Sequence, residues 1–225
     1  MKTLVSILKS LSPTKVIDST IDFSKYVALD LSVTNKELVQ NKPATSADFQ
    51  TFITNYLRKN NAEIAYGGYI EGRNLYQRST IFKNDGNPER NIHIGLDLWG
   101  KVGTEILAPL DGKVHSFKDN LGLGDYGPTI ILEHEIENEK FYTLYGHLSL
   151  ESIENITVGT VFKKGESFAT FGDSTINGDY APHLHFQIIN NIEDNYGDYP
   201  GVCNINDLNF YIENCPDPNL LLKIT

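Results

Sequence analysis

The chain is poor in the features that tie a protein to a polyanion, a bilayer or an oxidising compartment. Cations are outnumbered, with 19 Lys and Arg against 29 Asp and Glu and a formal net charge of −10. Nucleic acid and anionic membrane surfaces reward clustered Lys and Arg, so neither is an expected partner. No apolar run approaches the roughly 20 residues that span a hydrocarbon core. The amino-terminal stretch Leu4 to Leu8 is interrupted by Ser6, too short for a secretory segment, and lacks a small-residue cleavage site after it. A cytoplasmic location is the expectation, although a chain trimmed of its leader would read the same way.

Cysteine is scarce too. Cys203 and Cys215 are the only two. They could form a disulfide, but cytosolic thiols usually stay reduced. Two sulfurs without a neighbouring His or Cys also make a poor structural zinc site. Inert or loosely structural thiols are expected. Internal repeats, low-complexity segments and a His-Glu-x-x-His string are all absent.

What remains is an ordinary globular composition: 225 residues, 40% hydrophobic, with 12 Tyr and 11 Phe. That suffices for one large domain or a domain with an extension. Residues 1–62 read as a helical N-terminal extension. Thr45-Ser-Ala-Asp48 offers a capping box, Phe49, Ile53, Tyr56 and Leu57 recur at helical spacing, and Lys59-Asn-Asn61 closes the helix. From Ile64 the pattern turns to strand and turn, through Tyr66-Gly-Gly-Tyr69, Leu75-Tyr76 and Ile81-Phe82 to a loop at 84–88.

Residues 63–190 read as a mainly β domain, an antiparallel sheet or sandwich, making the chain α+β overall. Its expected strands are 91–98, 105–108, 112–118, 128–134, 140–147, 160–162, 167–172 and 183–189, with hairpin turns at Asp111-Gly112 and Lys164-Gly165-Glu166. Residues 191–225 read as an irregular tail packed on this core.

Two short strings carry the chemistry. In His183-Leu-His185 the run Leu184, Phe186, Ile188 alternates with His183, His185, Gln187. A period of two puts both imidazoles on one strand face, roughly 6.6 Å apart along the strand, with Leu184 and Phe186 in a core. In His93-Ile-Gly-Leu-Asp97 the residues Ile92, Ile94, Leu96 and Leu98 alternate with His93, Gly95 and Asp97. On a straight strand His93 and Asp97 would stand about 13 Å apart, too far to share an ion. Gly95 lies between them, and a kink or bulge there would swing them together. A helix would also pair i and i+4, but the alternation argues against one. Two imidazoles, one carboxylate and an open position make the ligand count of a catalytic zinc site.

The other histidines read more blandly. His147, in Tyr145-Gly-His147-Leu, shares a strand face with Tyr145 by alternation and taken alone is a structural histidine. His115 and His134 have no partner at ligand spacing and read as surface or structural. A lone His-x-His also occurs in cupins, but these place a Glu a few residues later, and Phe186-Gln-Ile-Ile-Asn190 has none.

In combination the motifs become specific. His93-x-Gly-x-Asp97, Tyr145-Gly-His147-Leu and Ala181-Pro-His183-Leu-His185-Phe, in that order, resemble the lysostaphin-like (LytM-type) zinc metalloendopeptidases. Ala108-Pro-Leu-Asp-Gly112 and 126–134 resemble that family's intervening strands. Gly124-Asp-Tyr-Gly-Pro-Thr129 and Cys215-Pro-Asp-Pro-Asn219 are similar to a branch found fused to aminotransferase domains. The resemblance implies that His93, Asp97 and His185 bind Zn2+ and that His147 and His183 are the unligated catalytic pair. In the expected mechanism one of these histidines accepts the water's proton, and either the other one, protonated, or Tyr145 stabilises the developing oxyanion. It also implies cleavage of short peptide bonds, as in peptidoglycan cross-links or muropeptides. A catalytically silent binding or regulatory module acting with a partner enzyme is the alternative. The upstream strings Tyr66-Gly-Gly-Tyr69 and Glu71-Gly-Arg73 either line the groove or are exposed strand residues.

Overall fold

Period-two alternation governs the central half of the chain, and the computed structural model shows it as strand. The structure describes residues 3–41, 43–74 and 88–224. The strand-and-turn expectations at Leu75-Tyr76 and Ile81-Phe82, and the loop at 84–87, lie outside the described residues. The elements in chain order are α1 (Leu4–Ser10), a 3-10 turn (Phe23–Lys25), β1 (Tyr26–Ala28), α2 (Lys36–Asn41), α3 (Ser46–Lys59), β2 (Ile64–Gly67), β3 (Glu71–Gly72), β4 (Ile92–His93), β5 (Leu96–Trp99), β6 (Glu105–Leu107), β7 (Gly112–Asn120), β8 (Gly127–Ile136) and β9 (Glu139–Gly146). They continue with α4 (Glu151–Glu154), β10 (Val161–Phe162), β11 (Ser167–Thr170), β12 (His183–Ile189), β13 (Val202–Cys203), α5 (Leu208–Asn214) and α6 (Asn219–Leu222). The architecture is mainly β. No helix among the described residues is long and apolar enough to cross a membrane.

One sheet of eight strands, ordered β1-β2-β5-β12-β9-β8-β7-β10, organises the molecule; β6 pairs with β11, and β3, β4 and β13 form a three-stranded sheet. Leu96, Leu98, Leu132, Tyr145, Leu184 and Phe186 bury one face of the large sheet against Ile106 and Phe171 and against Leu8, Leu221 and Leu222 of the terminal helices. Leu144, Ile131 and Ile189 leave the opposite face and meet Ile94, Tyr199, Cys203 and Cys215. Both thiols are free and buried, and burial pushes them up to about 11 for Cys203 and about 12 for Cys215.

Four expectations need correcting. The strand expected over 91–98 is two strands, with β4 and β5 in different sheets and Ile94-Gly95 at the break. Asp111-Gly112 and Lys164-Gly165-Glu166 are not hairpin turns, because the strands they join pair elsewhere: β6 with β11, and β7 with β8 and β10. The tight hairpin joins β8 to β9 through Glu137 and Asn138, both at positive φ (54° and 66°), as a primed two-residue turn requires. Residues 1–62 are not wholly helical. The capping box at Thr45 and Asp48 starts α3, but β1 runs parallel to β2 and extends the edge of the large sheet. The tail is not irregular either, since it supplies β13, α5 and α6; these elements are too short to leave a readable period.

His134 is a core residue, only 1% exposed. Its Nδ1 donates to the Asp111 carbonyl at 2.8 Å, and Nε2 lies 2.7 Å from the Thr143 hydroxyl. Burial pushes this imidazole down to about 4, against about 6.5 in an unfolded chain. The unfolded state therefore binds the proton first. Stability is fully present above about pH 6.5 and drains away as pH falls toward about 4. His93 and His183 are also lowered to about 4 by burial and act in the same sense in metal-free protein. Metal-free protein is expected to lose about 2 kcal/mol through His134 alone between pH 7.5 and 5. Urea midpoints at the two pH values measure this, and an unchanged midpoint is the contrary result.

Candidate metal centre

The sheet register sets the site. Asp97 of β5 stands opposite Gly67 of β2 on one side and His185 of β12 on the other, and His185 stands opposite Gly146 of β9. The flanking glycines leave space for other groups. A Cβ at Gly67 would sit 2.4 Å from the Leu29 carbonyl oxygen, and one at Gly146 would sit 2.5 Å from the Tyr126 ring. Two residues along, Trp99 stands opposite His183 on the same face, and their rings stack at 3.9 Å with 13° between planes. The break at Ile94-Gly95 turns His93 back toward Asp97. Gly95 is required there, because a Cβ would meet the His185 ring at 2.5 Å.

Each imidazole has a tautomer imposed by its outer partner. His93 Nδ1 donates to the Gly68 carbonyl at 2.8 Å, which leaves Nε2 as a bare lone pair. Gln187 Nε2 donates to the Pro200 carbonyl and to Cys215 Sγ, so its Oε1 faces His185 Nε2 at 3.0 Å and must accept from it. His185 Nδ1 is therefore bare as well. The two bare nitrogens face each other at 2.8 Å, and Asp97 Oδ1 lies 3.2 Å from His93 Nε2 and 3.3 Å from His185 Nδ1.

Asp97 Oδ1 is buried and has no hydrogen-bond partner. Its carboxyl is held well below the usual range: burial opposes ionisation, but the charges of His93 and Arg73 outweigh it. Three lone pairs, one of them anionic, thus converge where a proton donor is absent. The donor chemistry fits a cation, and among the described residues His93, Asp97 and His185 are the group that could hold a metal ion.

His183 and His147 stand beside this trio. His183 Nδ1 donates to the Ala181 carbonyl at 2.8 Å, leaving Nε2 bare and 4.0 Å from Asp97 Oδ1. His147 Nδ1 donates to the Asn177 carbonyl at 2.8 Å, and its ring centre lies 4.2 Å from that of His183. Burial lowers both, His183 to about 4 and His147 well below its usual value, with the charge of the neighbouring imidazoles acting the same way on His147. A cavity of about 300 Å³ opens over these histidines, lined also by Arg73, Tyr126, Tyr180 and Gly201.

All five residues singled out from the sequence thus meet in one place, whereas Tyr145 does not. It is fully buried in the apolar core against Phe168 and Phe186. Strand β9 ends at Gly146, and His147 takes a positive φ of 64°, so the alternation that grouped Tyr145 with His147 stops one residue short. Of the tyrosines that line the cavity, Tyr126 has its hydroxyl 3.3 Å from His185 Nε2, and Tyr180 packs edge-on against His147. Sequence reasoning also passed over Trp99, which alternation from Asp97 could have placed, and over the burial of Arg73.

Comparison with known proteins bears on the same segment. The chain is 34% identical over 95 residues to an uncharacterized metalloprotease of Haemophilus influenzae, covering 42% of this chain and 18% of that protein. The chain therefore spans less than a fifth of the length of that curated relative. Among solved structures, the catalytic domain of the antimicrobial peptidase lysostaphin from Staphylococcus simulans is 24% identical, with 68% of this chain and 93% of that chain covered and a TM-score of 0.39. A zinc containing peptidase from Vibrio cholerae is 28% identical, with 44% and 27% covered and a TM-score of 0.35. Residues 91–196 match the sequence model of Peptidase family M23.

Proposed function

We propose that the protein is a zinc-dependent endopeptidase that hydrolyses short peptides of the peptidoglycan cross-link or muropeptide type. The observation that carries this reading is the convergence of three proton-free donors, His93 Nε2, Asp97 Oδ1 and His185 Nδ1, beside two imidazoles that keep a bare Nε2. In this reading His93, Asp97 and His185 hold the metal, and His183 and His147 do the proton chemistry. Zinc held there would supply Lewis acidity, acidifying water and polarising a peptide carbonyl oxygen.

The chain's own residues do the rest. Trp99 beneath His183 and the Ala181 carbonyl on its Nδ1 fix the ring so that Nε2 can accept a proton from water. His147, clamped by Asn177 and packed by Tyr126 and Tyr180, offers a second Nε2. The imidazole that takes the proton from water then holds it on Nε2 and can deliver it to the leaving amine, which returns both rings to their neutral state. A glutamate base of the His-Glu-x-x-His kind has no counterpart in the motifs.

The cavity volume suits a short peptide segment. The silent-module alternative has no observation in its favour, since all five positions are filled. A partner enzyme of the aminotransferase kind rests on resemblance alone and is tested by copurification.

The test pairs metal analysis with hydrolysis of a panel of soluble muropeptides. About one zinc per chain is expected, with cleavage abolished by chelator and restored by added zinc. Stoichiometric zinc with every muropeptide left intact would overturn the enzymatic reading.

A further inference from the structure

The string Glu71-Gly-Arg73 is absorbed by none of the steps above, yet it lies against the metal centre. Arg73 is a charged side chain with only 2% of its surface exposed. Its guanidinium bridges two carboxylates: Nε donates to Glu71 Oε2 at 2.5 Å, and an Nη donates to Asp97 Oδ2 at 2.6 Å. Glu71 is held in turn, because its other oxygen accepts the Leu31 backbone N–H at 3.0 Å. The Val33 N–H reaches the Gly72 carbonyl, and Glu71 pairs with His93 across β3 and β4. Gly68, at φ 103°, makes the space: a Cβ there would fall 2.0 Å from the guanidinium and 2.9 Å from His93 Nδ1.

The consequence lies at Asp97. One carboxylate oxygen is committed to Arg73, and the other is the unpartnered Oδ1 that faces His93 and His185. Resting on the metal reading above, we propose that Arg73 is a positioning residue that holds Asp97 as a one-oxygen ligand. Glu71 and the backbone at Leu31 anchor Arg73. The planar fork of an arginine presents a separate nitrogen to each carboxylate in a fixed geometry, which the single nitrogen of a lysine ammonium does not. Residues 29–33 thereby become part of the support of the metal centre.

Arg73 acts on a bound cation in two opposite ways. Its charge repels the cation, whereas its hydrogen bond keeps the carboxylate from rotating or chelating through both oxygens. Outer partners of metal ligands typically contribute about 10–100-fold in affinity, so orientation is expected to outweigh repulsion.

The test measures zinc affinity by chelator competition and the visible absorption of the cobalt(II)-substituted protein. These are compared for the parent chain, Arg73→Met, Arg73→Lys and Glu71→Gln. Arg73→Met is expected to bind zinc at least tenfold more weakly, with a cobalt spectrum shifted toward higher coordination; Arg73→Lys should recover part of both. Undiminished zinc affinity, or an unchanged cobalt spectrum, in Arg73→Met overturns the proposal. If Arg73→Met does not fold, Glu71→Gln decides on the same readouts: a several-fold weakening with a shifted spectrum supports the proposal, and parental values overturn it. A parent chain that binds no zinc would overturn the metal reading itself, a result distinct from a zinc-binding parent whose variants match it.

Discussion

Replacing His183 by alanine is expected to lower kcat for peptide hydrolysis by about 10²–10⁴-fold while about one zinc per chain stays bound. His147→Ala should do the same. The reason is the direction of the lone pairs. His183 spends Nδ1 on Ala181 and keeps Nε2 4.0 Å from Asp97 Oδ1, farther than either His93 or His185. It is near the metal position without completing the trio. His147 spends Nδ1 on Asn177 and packs against His183. If the two act as one proton-transfer unit, the double variant should be little worse than either single one, because residues that act together are strongly non-additive. Steady-state kinetics with zinc analysis on the same samples measure both quantities. Zinc lost from His183→Ala would reassign His183 as a ligand; kcat within a factor of three of the parent would remove it from the chemistry.

The convergence of these residues is legible in the sequence to the extent that strand parity carries it. Parity alone puts His183 with His185, separates both from Leu184 and Phe186, and puts Asp97 on the face opposite Leu96 and Leu98. Gly95 signals the break, because a straight strand would keep His93 and Asp97 apart. The structure adds the reason no other residue serves, namely the His185 ring within 2.6 Å of where a Cβ would be.

Parity fails where the backbone leaves the strand. His147 reaches the site only because a non-glycine residue takes a left-handed conformation after Gly146. No local pattern announces that, and the same step strands Tyr145 in the core. Asp111-Gly112 carries the composition of a hairpin, but turn composition reports the bend and not which strands pair afterwards. Arg73 escapes for another reason. Glu-Gly-Arg reads either as groove lining or as exposed strand, and the burial that decides between them comes from Asp97, 24 residues later, and from Leu31, 40 residues before Glu71.

Two substitutions at Asp97 should lose zinc alike and yet part company in stability. Asp97→Ala removes the proposed anionic ligand and the Oδ2 acceptor of Arg73 together, so a guanidinium stays buried with Glu71 as its remaining carboxylate. Breaking a buried pair from one side costs about 3–5 kcal/mol, and the retained Glu71 contact points to the lower end, about 3 kcal/mol. Asp97→Asn behaves differently. Its amide oxygen can still accept from Arg73, and its NH₂ group then points at the bare nitrogens of His93 and His185, which lack a donor in metal-free protein. Metal-free Asp97→Asn is therefore expected to be about as stable as the metal-free parent, whereas Asp97→Ala unfolds at clearly lower urea. Both should bind zinc at least a hundredfold more weakly (on the order of a lost ligand rather than a lost outer partner). Urea midpoints of chelator-treated protein and competition titrations with zinc measure the two effects separately. Parental zinc affinity in either variant would mean that Asp97 is not a ligand. An Asn variant as unstable as the Ala variant would mean that the converging nitrogens are not the bare acceptors on which the metal site depends.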